Sequence, residues 1–121
     1  MDKILPFLFV YGTLMPENES PLKEYLQRES KVIGKAWVTG YLIDLGGYPG
    51  LVLTENPSQK VHGYLLLLKN PEENLKVLDD YEEIDPFQFK NPEYKRIRQH
   101  VNWNNTTKEA WIYVHTCNEV I

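Results

Sequence analysis

Residues 94–103, YKRIRQHVNW, alternate: Ile97, Gln99, Val101 and Trp103 point one way, Arg96, Arg98 and His100 the other. A strand has the side-chain period that gives such a pattern a buried and an exposed face. The polar run Asn104-Asn105-Thr106-Thr107 then turns the chain, and residues 110–116 return as a second strand, so the two read as an antiparallel hairpin. A chain built around such a hairpin cannot be a helical bundle, and its other segments add further strands. Residues 4–10 are an apolar, β-branched and aromatic run. Residues 31–45 read as a longer strand, interrupted by Gly34 and Gly40, where a bend or bulge is expected. After the sharp loop GGYPG, a strand over 51–54, a turn at Asn56-Pro57-Ser58 and a strand over 61–68 read as a second hairpin.

Two helices fit between these strands. Ser20-Pro21 supplies an N-cap and a proline at the first helical position, starting a short helix to about Glu29. Asn70-Pro71-Glu72-Glu73 is a stronger start: asparagine caps, proline is first, and Glu73 holds the capping-box position. That helix runs to about Glu82 and is stopped by Asp85-Pro86. The expected fold is α+β: a small, curved, mixed but mostly antiparallel sheet closing towards a barrel, with two flanking helices. At 121 residues the chain is read as one domain, 1–121.

Composition narrows the function classes. Net charge is −4, and the 13 lysines and arginines never run longer than Lys95-Arg96, which argues against a nucleic-acid surface. Apolar stretches such as 64–68 are far short of a membrane span, and Asp2 and Pro6 make a poor signal peptide. The single cysteine, Cys117, allows no internal disulfide, and the scattered His62, His100 and His115 have no metal-ligand spacing. The expectation is a cytoplasmic protein with no metal and no cofactor, monomeric or weakly dimeric.

Two features bear on chemistry. At roughly 100° per residue, Glu82 projects about 20° from Leu75 and between Leu75 and Leu78, at the centre of the second helix's apolar stripe. Acidic residues are rarely buried unless paired, so a carboxylate there needs a partner, a cavity or a raised pKa. Three readings stay open: a proton-transfer group, a rim residue that reaches water from the last turn, or a structural pair with Arg96 or Arg98. Glu72, Glu73, Asp79, Asp80 and Glu83 are better placed for solvent or the rim. The second feature is Tyr11-Gly12-Thr13-Leu14, where the first strand ends. Glycine there allows a tight turn or the close approach of another group to the backbone.

Taken together, "FVYGTLMP" (9–16), "GYPGLV" (47–52), "VHGYLLLL" (61–68), "LDDYEE" (78–83), "YKRIRQHV" (94–101) and "AWIYV" (110–114) resemble the gamma-glutamylcyclotransferase-like superfamily, nearest the gamma-glutamylamine cyclotransferase branch. The pieces stand in the family's order and cover nearly the whole chain. The resemblance implies that the loop of Tyr11, Gly12, Thr13 and Leu14 holds substrate, largely through backbone groups. It implies that Glu82, in the place of the glutamate of an L-D-x-x-E-G motif, is the catalytic acid/base. It also implies that Tyr48 lies in a second loop at the cavity mouth, beside Pro49, and that Tyr113 sits near the site from the last strand. Glu83 departs from the family's glycine, which would suit the positive φ common at a helix C-terminus.

The reaction implied is metal-independent: the α-amine of a gamma-glutamyl group attacks its own side-chain carbonyl, forming 5-oxoproline and expelling an amine. The small-molecule partner would be a gamma-glutamyl amine or amino acid, with the leaving amine unread. The alternative is a non-catalytic module that keeps the cavity and binds a small ligand or a partner. A related cyclisation or amide cleavage on another aminoacyl compound is a third reading.

Overall fold

The first strand, β1 (Phe7–Val10), is apolar at every position because both of its faces are covered. Phe9, and Tyr11 just beyond the strand, pack with Ala36, Val38, Leu65, Val101 and Ile112, all from strands. Leu8 and Val10 point the other way, into a cluster with Leu26, Leu66, Leu75 and Leu78. The first cluster fills the inside of a curved sheet. The second joins the sheet's outer face to two helices.

The structure is a computed structural model and describes residues 4–11, 21–44, 49–83 and 94–115; at 21–23, 44, 49, 80–83, 94–95 and 115 the backbone alone is described. After β1 come α1 (Pro21–Glu29), β2 (Ser30–Asp44), β3 (Pro49–Leu53), β4 (Lys60–Leu68), α2 (Pro71–Glu83), β5 (Tyr94–Trp103) and β6 (Thr106–His115). The strand order is β3-β2-β4-β1-β6-β5. Neighbours are antiparallel except β1 and β6, which run parallel with Leu8 opposite Trp111. Trp37 of β2 pairs with Asn102 of β5, so β2-β4-β1-β6-β5 close into a five-stranded barrel, and β3 extends β2 outside the ring. The expected mixed, mostly antiparallel sheet with two flanking helices is the fold observed. The bend expected in β2 is a bulge between Val32 and Gly34.

Two details differ from the sequence reading. β3 and β4 are not a hairpin, because β2 lies between them. Residues 30–39 of β2 pair with β4 and residues 40–44 pair with β3. At the changeover Thr54 N–H donates to the Thr39 carbonyl at 3.2 Å and Gly40 N–H to the Gln59 carbonyl at 2.9 Å. The Asn56-Pro57-Ser58 turn does form, with Asn56 Oδ1 accepting the Ser58 N–H at 3.0 Å. It carries the chain from one edge of β2 to the other. In the β5–β6 hairpin the turn is Asn104-Asn105 alone, with φ of 53° and 63°, and β6 begins at Thr106 rather than at 110. Positive φ at both central residues matches the right-handed twist of the strands, and asparagine tolerates it.

The start of α2 also differs in its chemistry. The side chain that reaches back to the Asn70 N–H is Asn74, whose Oδ1 accepts at 2.9 Å, whereas Glu73 is exposed. Asn74 is 1% exposed, and its amide donates to the Tyr25 hydroxyl at 2.9 Å and to Glu29 at 3.2 Å. One buried amide thus ties the first turn of α2 to α1.

Candidate functional site

Strand directions decide which residues meet. β6 runs parallel to β1, and β2 is antiparallel to β4, which is antiparallel to β1. The C-terminal ends of β1, β2 and β6 therefore share one end of the barrel, and β3 begins there opposite the end of β2. β4 runs the other way and hands the chain to α2 at the far end. With Leu75 and Leu78 packed on the β1 residues Leu8 and Val10, α2 returns along the barrel, so its last turn, which contains Glu82, lies towards the end where β1 finishes.

Of the residues singled out in the sequence, Tyr11 and Tyr113 are described with their side chains, and Glu82 by its helical backbone. Gly12, Thr13, Leu14 and Tyr48 lie outside the described residues. α2 continues through Glu83, so the glutamate standing where the family pattern has glycine is accommodated in helical backbone.

The described side chains form a connected group. Tyr11 is buried and donates its hydroxyl to the Tyr113 carbonyl at 2.6 Å. Tyr113 donates its own hydroxyl to Asp79 Oδ1 at 2.6 Å. Arg96, on β5, grips the same carboxylate with both arms, Nε to Oδ1 at 2.8 Å and Nη2 to Oδ2 at 2.9 Å. Its guanidinium carbon lies 4.3 Å from the centroid of the Trp111 ring, and the Trp111 indole N–H donates to the Leu5 carbonyl at 2.9 Å. The fork geometry and the stack are what arginine supplies and lysine does not.

This group has a definite charge state. Burial pushes the Asp79 carboxyl up, but the hydrogen bonds from Arg96 and Tyr113, with the Arg96 charge, outweigh burial and hold it below its ordinary 3.8. The hydrogen bond to Asp79 raises Arg96 in turn, against the opposing effect of burial. At neutral pH the pair is ionised, and Asp79 acts only as an acceptor.

The carboxylate that Arg96 holds is thus Asp79, one of the residues expected at the solvent or the rim. Its side chain is 39% exposed, so the rim placement stands, but it is the hub of the group. Arg98 pairs with Glu109, Nε to Oε2 at 3.4 Å, in an exposed contact. His62 and His100 are exposed. Among the described residues no three His, Cys, Asp or Glu side chains gather as a metal site requires, and no helix is long and apolar enough to cross a membrane.

The family model for gamma-glutamyl cyclotransferase, AIG2-like proteins matches residues 8–120. No curated protein matches the sequence significantly. Among solved structures, YkqA from Bacillus subtilis aligns with a TM-score of 0.68 at 23% identity, over 91% of this chain and 35% of its own. The chain therefore spans about a third of that protein. An AIG2-like protein from Mus musculus aligns with a TM-score of 0.68 at 21% identity, over 90% of this chain and 76% of its own. A structure described as a gamma-glutamyl cyclotransferase aligns with a TM-score of 0.62 at 17% identity, over 91% of this chain and 66% of its own. At these identities the likeness concerns the fold.

Proposed function

This chain belongs to the gamma-glutamyl cyclotransferase, AIG2-like family, and we propose that it converts a gamma-glutamyl amine or amino acid to 5-oxoproline and the free amine. The observation that carries this reading is the convergence, at one end of the barrel, of the end of β1 and the last turn of α2. The first leads into the Gly12-Thr13-Leu14 segment, and the second carries Glu82.

In this reading the substrate supplies both reacting groups. The α-nitrogen forms a bond to the side-chain carbonyl carbon, and the bond from that carbon to the departing nitrogen breaks. Because both groups belong to one molecule, no second reactant has to be brought in, and the protein has only to hold them in the cyclising conformer with the reacting atoms aligned. The rest is proton movement. The attacking nitrogen enters as an ammonium and ends as a lactam N–H, losing two protons; the leaving nitrogen gains two and departs as an ammonium. Glu82 takes each proton from the first nitrogen and gives it to the second, which needs a carboxylate that begins ionised. Backbone N–H groups of Thr13 and Leu14 stabilise the negative charge that develops on the carbonyl oxygen. Net charge −4 favours a leaving group that carries positive charge.

The test is release of 5-oxoproline from a panel of gamma-glutamyl compounds whose amine is a lysine side chain, a polyamine, an amino acid or ammonia. Turnover of at least one by the wild type, lost by a factor of about 10²–10⁴ in a folded Glu82→Gln variant, supports the reading. No 5-oxoproline from any compound, with equal binding to both proteins, replaces it with a ligand-binding module.

A further inference from the structure

We infer that Asp79 is a positioning residue for Glu82: fastened to Arg96 of β5 and Tyr113 of β6, it pins the last turn of α2 to the same residue that receives the end of β1. The inference rests on the proposed role of Glu82 and extends it to residues that need not touch substrate.

The last turn of α2 is a poor helix end when considered alone. Its final carbonyls have no partner within the helix. The sequence there, Asp79-Asp80-Tyr81-Glu82-Glu83, places four carboxyls at the negative end of the helix dipole and no base in the last turn. Asp79 stands three and four residues from Glu82 and Glu83, the spacing at which like charges on a helix repel. A cation brought to such a terminus from outside stabilises it.

Arg96 brings that cation, and it is itself held in place. Its two arms close on Asp79 at 2.8 and 2.9 Å, and its guanidinium lies over Trp111, which is tied to Leu5. Tyr113 adds a second anchor, 2.6 Å from Asp79 Oδ1. Both anchors stand on paired strands of the barrel, with Arg96 opposite Tyr113 in the β5–β6 register. Glu82 follows Asp79 by less than one helical turn, so fixing the backbone at Asp79 limits where Glu82 can be.

Tyr113 is also the point of reference for the other half of the proposed site. Its carbonyl accepts the Tyr11 hydroxyl, and Tyr11 is the residue from which the Gly12-Thr13-Leu14 segment departs. The end of β1 and the last turn of α2 are thus set against one residue of β6, one through its backbone and the other through its side chain.

The experiment compares wild type with Asp79→Ala, Asp79→Asn and Arg96→Lys, the last a milder change that keeps the charge and loses the fork. Steady-state 5-oxoproline release is measured well below each protein's unfolding temperature, and amide hydrogen exchange is followed at residues 80–83. The expected result is a kcat lowered about 10–100-fold with KM within about threefold, since a misplaced catalytic group costs rate more than binding. Exchange at 80–83 quickens, and Asp79→Asn and Arg96→Lys fall between wild type and Asp79→Ala. Active wild type beside variants that lose stability yet keep kcat overturns the inference alone and makes the group a structural salt bridge. Wild type that releases no 5-oxoproline overturns the proposed function, and the positioning role with it.

Discussion

Tyr113 donates its hydroxyl to Oδ1 of Asp79 at 2.6 Å while its own carbonyl, 2.6 Å from the Tyr11 hydroxyl, receives the end of β1. Tyr113 thus links the barrel interior to the helix layer, since Tyr11 packs inside the barrel and Tyr113 against the helices.

The Asp79 group gives stability a definite pH dependence. The folded carboxyl titrates below its ordinary 3.8, so the native state binds its proton less readily than the unfolded chain. The stabilisation is therefore complete above that ordinary range and is lost as pH falls through the lower folded value. Asp79→Asn should cost about 1–2 kcal/mol at pH 7, the lower end reflecting the part of the side chain that faces water. Urea unfolding from pH 7 down to pH 3 checks this: the gap between wild type and variant holds to about pH 5 and narrows below about pH 4. A gap that widens on acidification contradicts it.

Asn74 is the buried polar residue on which the two helices meet. Asn74→Ala leaves the Asn70 N–H, the Tyr25 hydroxyl and the Glu29 carboxylate without its amide. The expected loss is about 2–3 kcal/mol by urea unfolding, larger than for an exposed helix position. Glu29 provides a second reading of the same change. Its carboxyl is held below its ordinary 4.5 first by Asn74 and then by Asn70, so it should titrate closer to that value in the variant. An NMR titration of Glu29 follows the shift directly.

The strands, the helix starts and the α+β class were legible because each rests on local chemistry: alternation in 94–103, proline after a cap at 70–71, glycine at the β2 bulge. Which strand lies beside which was less so. The turn at Asn56–Ser58 says that the chain reverses, but β2 offers two edges, and nothing local tells β4 to take the one β3 does not. The face of β5 that carries Arg96 reads as solvated because it is polar, yet α2 packs near it and supplies Asp79. That pairing joins residues 17 apart on different elements, beyond the reach of periodicity. Asn74 did leave a signal: it lies four residues before Leu78, on the apolar stripe, where an amide needs partners. For the candidate site, the helical phase and the family motif both marked Glu82; the barrel adds the strand directions that carry the end of β1 and the last turn of α2 to the same end.

Gly63 is where β4 passes the end of β1. A Cβ there would collide with the Val10 carbonyl, a backbone group that cannot swing aside as a side chain can. Gly63→Ala should cost about 2 kcal/mol or more and disturb the exit of β1 into Tyr11. The check is thermal unfolding together with the NMR shift of the Tyr11 amide. Unchanged stability and an unmoved Tyr11 amide would mean that the two strands separate there at little cost.

The central claim is that Glu82 moves the protons of an internal cyclisation. The most direct measurement follows 5-oxoproline and free amine together from one gamma-glutamyl amine, for wild type and for Glu82→Gln at matched thermal stability. The account predicts equal amounts of the two products from wild type and a rate at least about 100-fold lower from the variant. A variant that matches the wild-type rate, or a wild type that releases neither product, contradicts it.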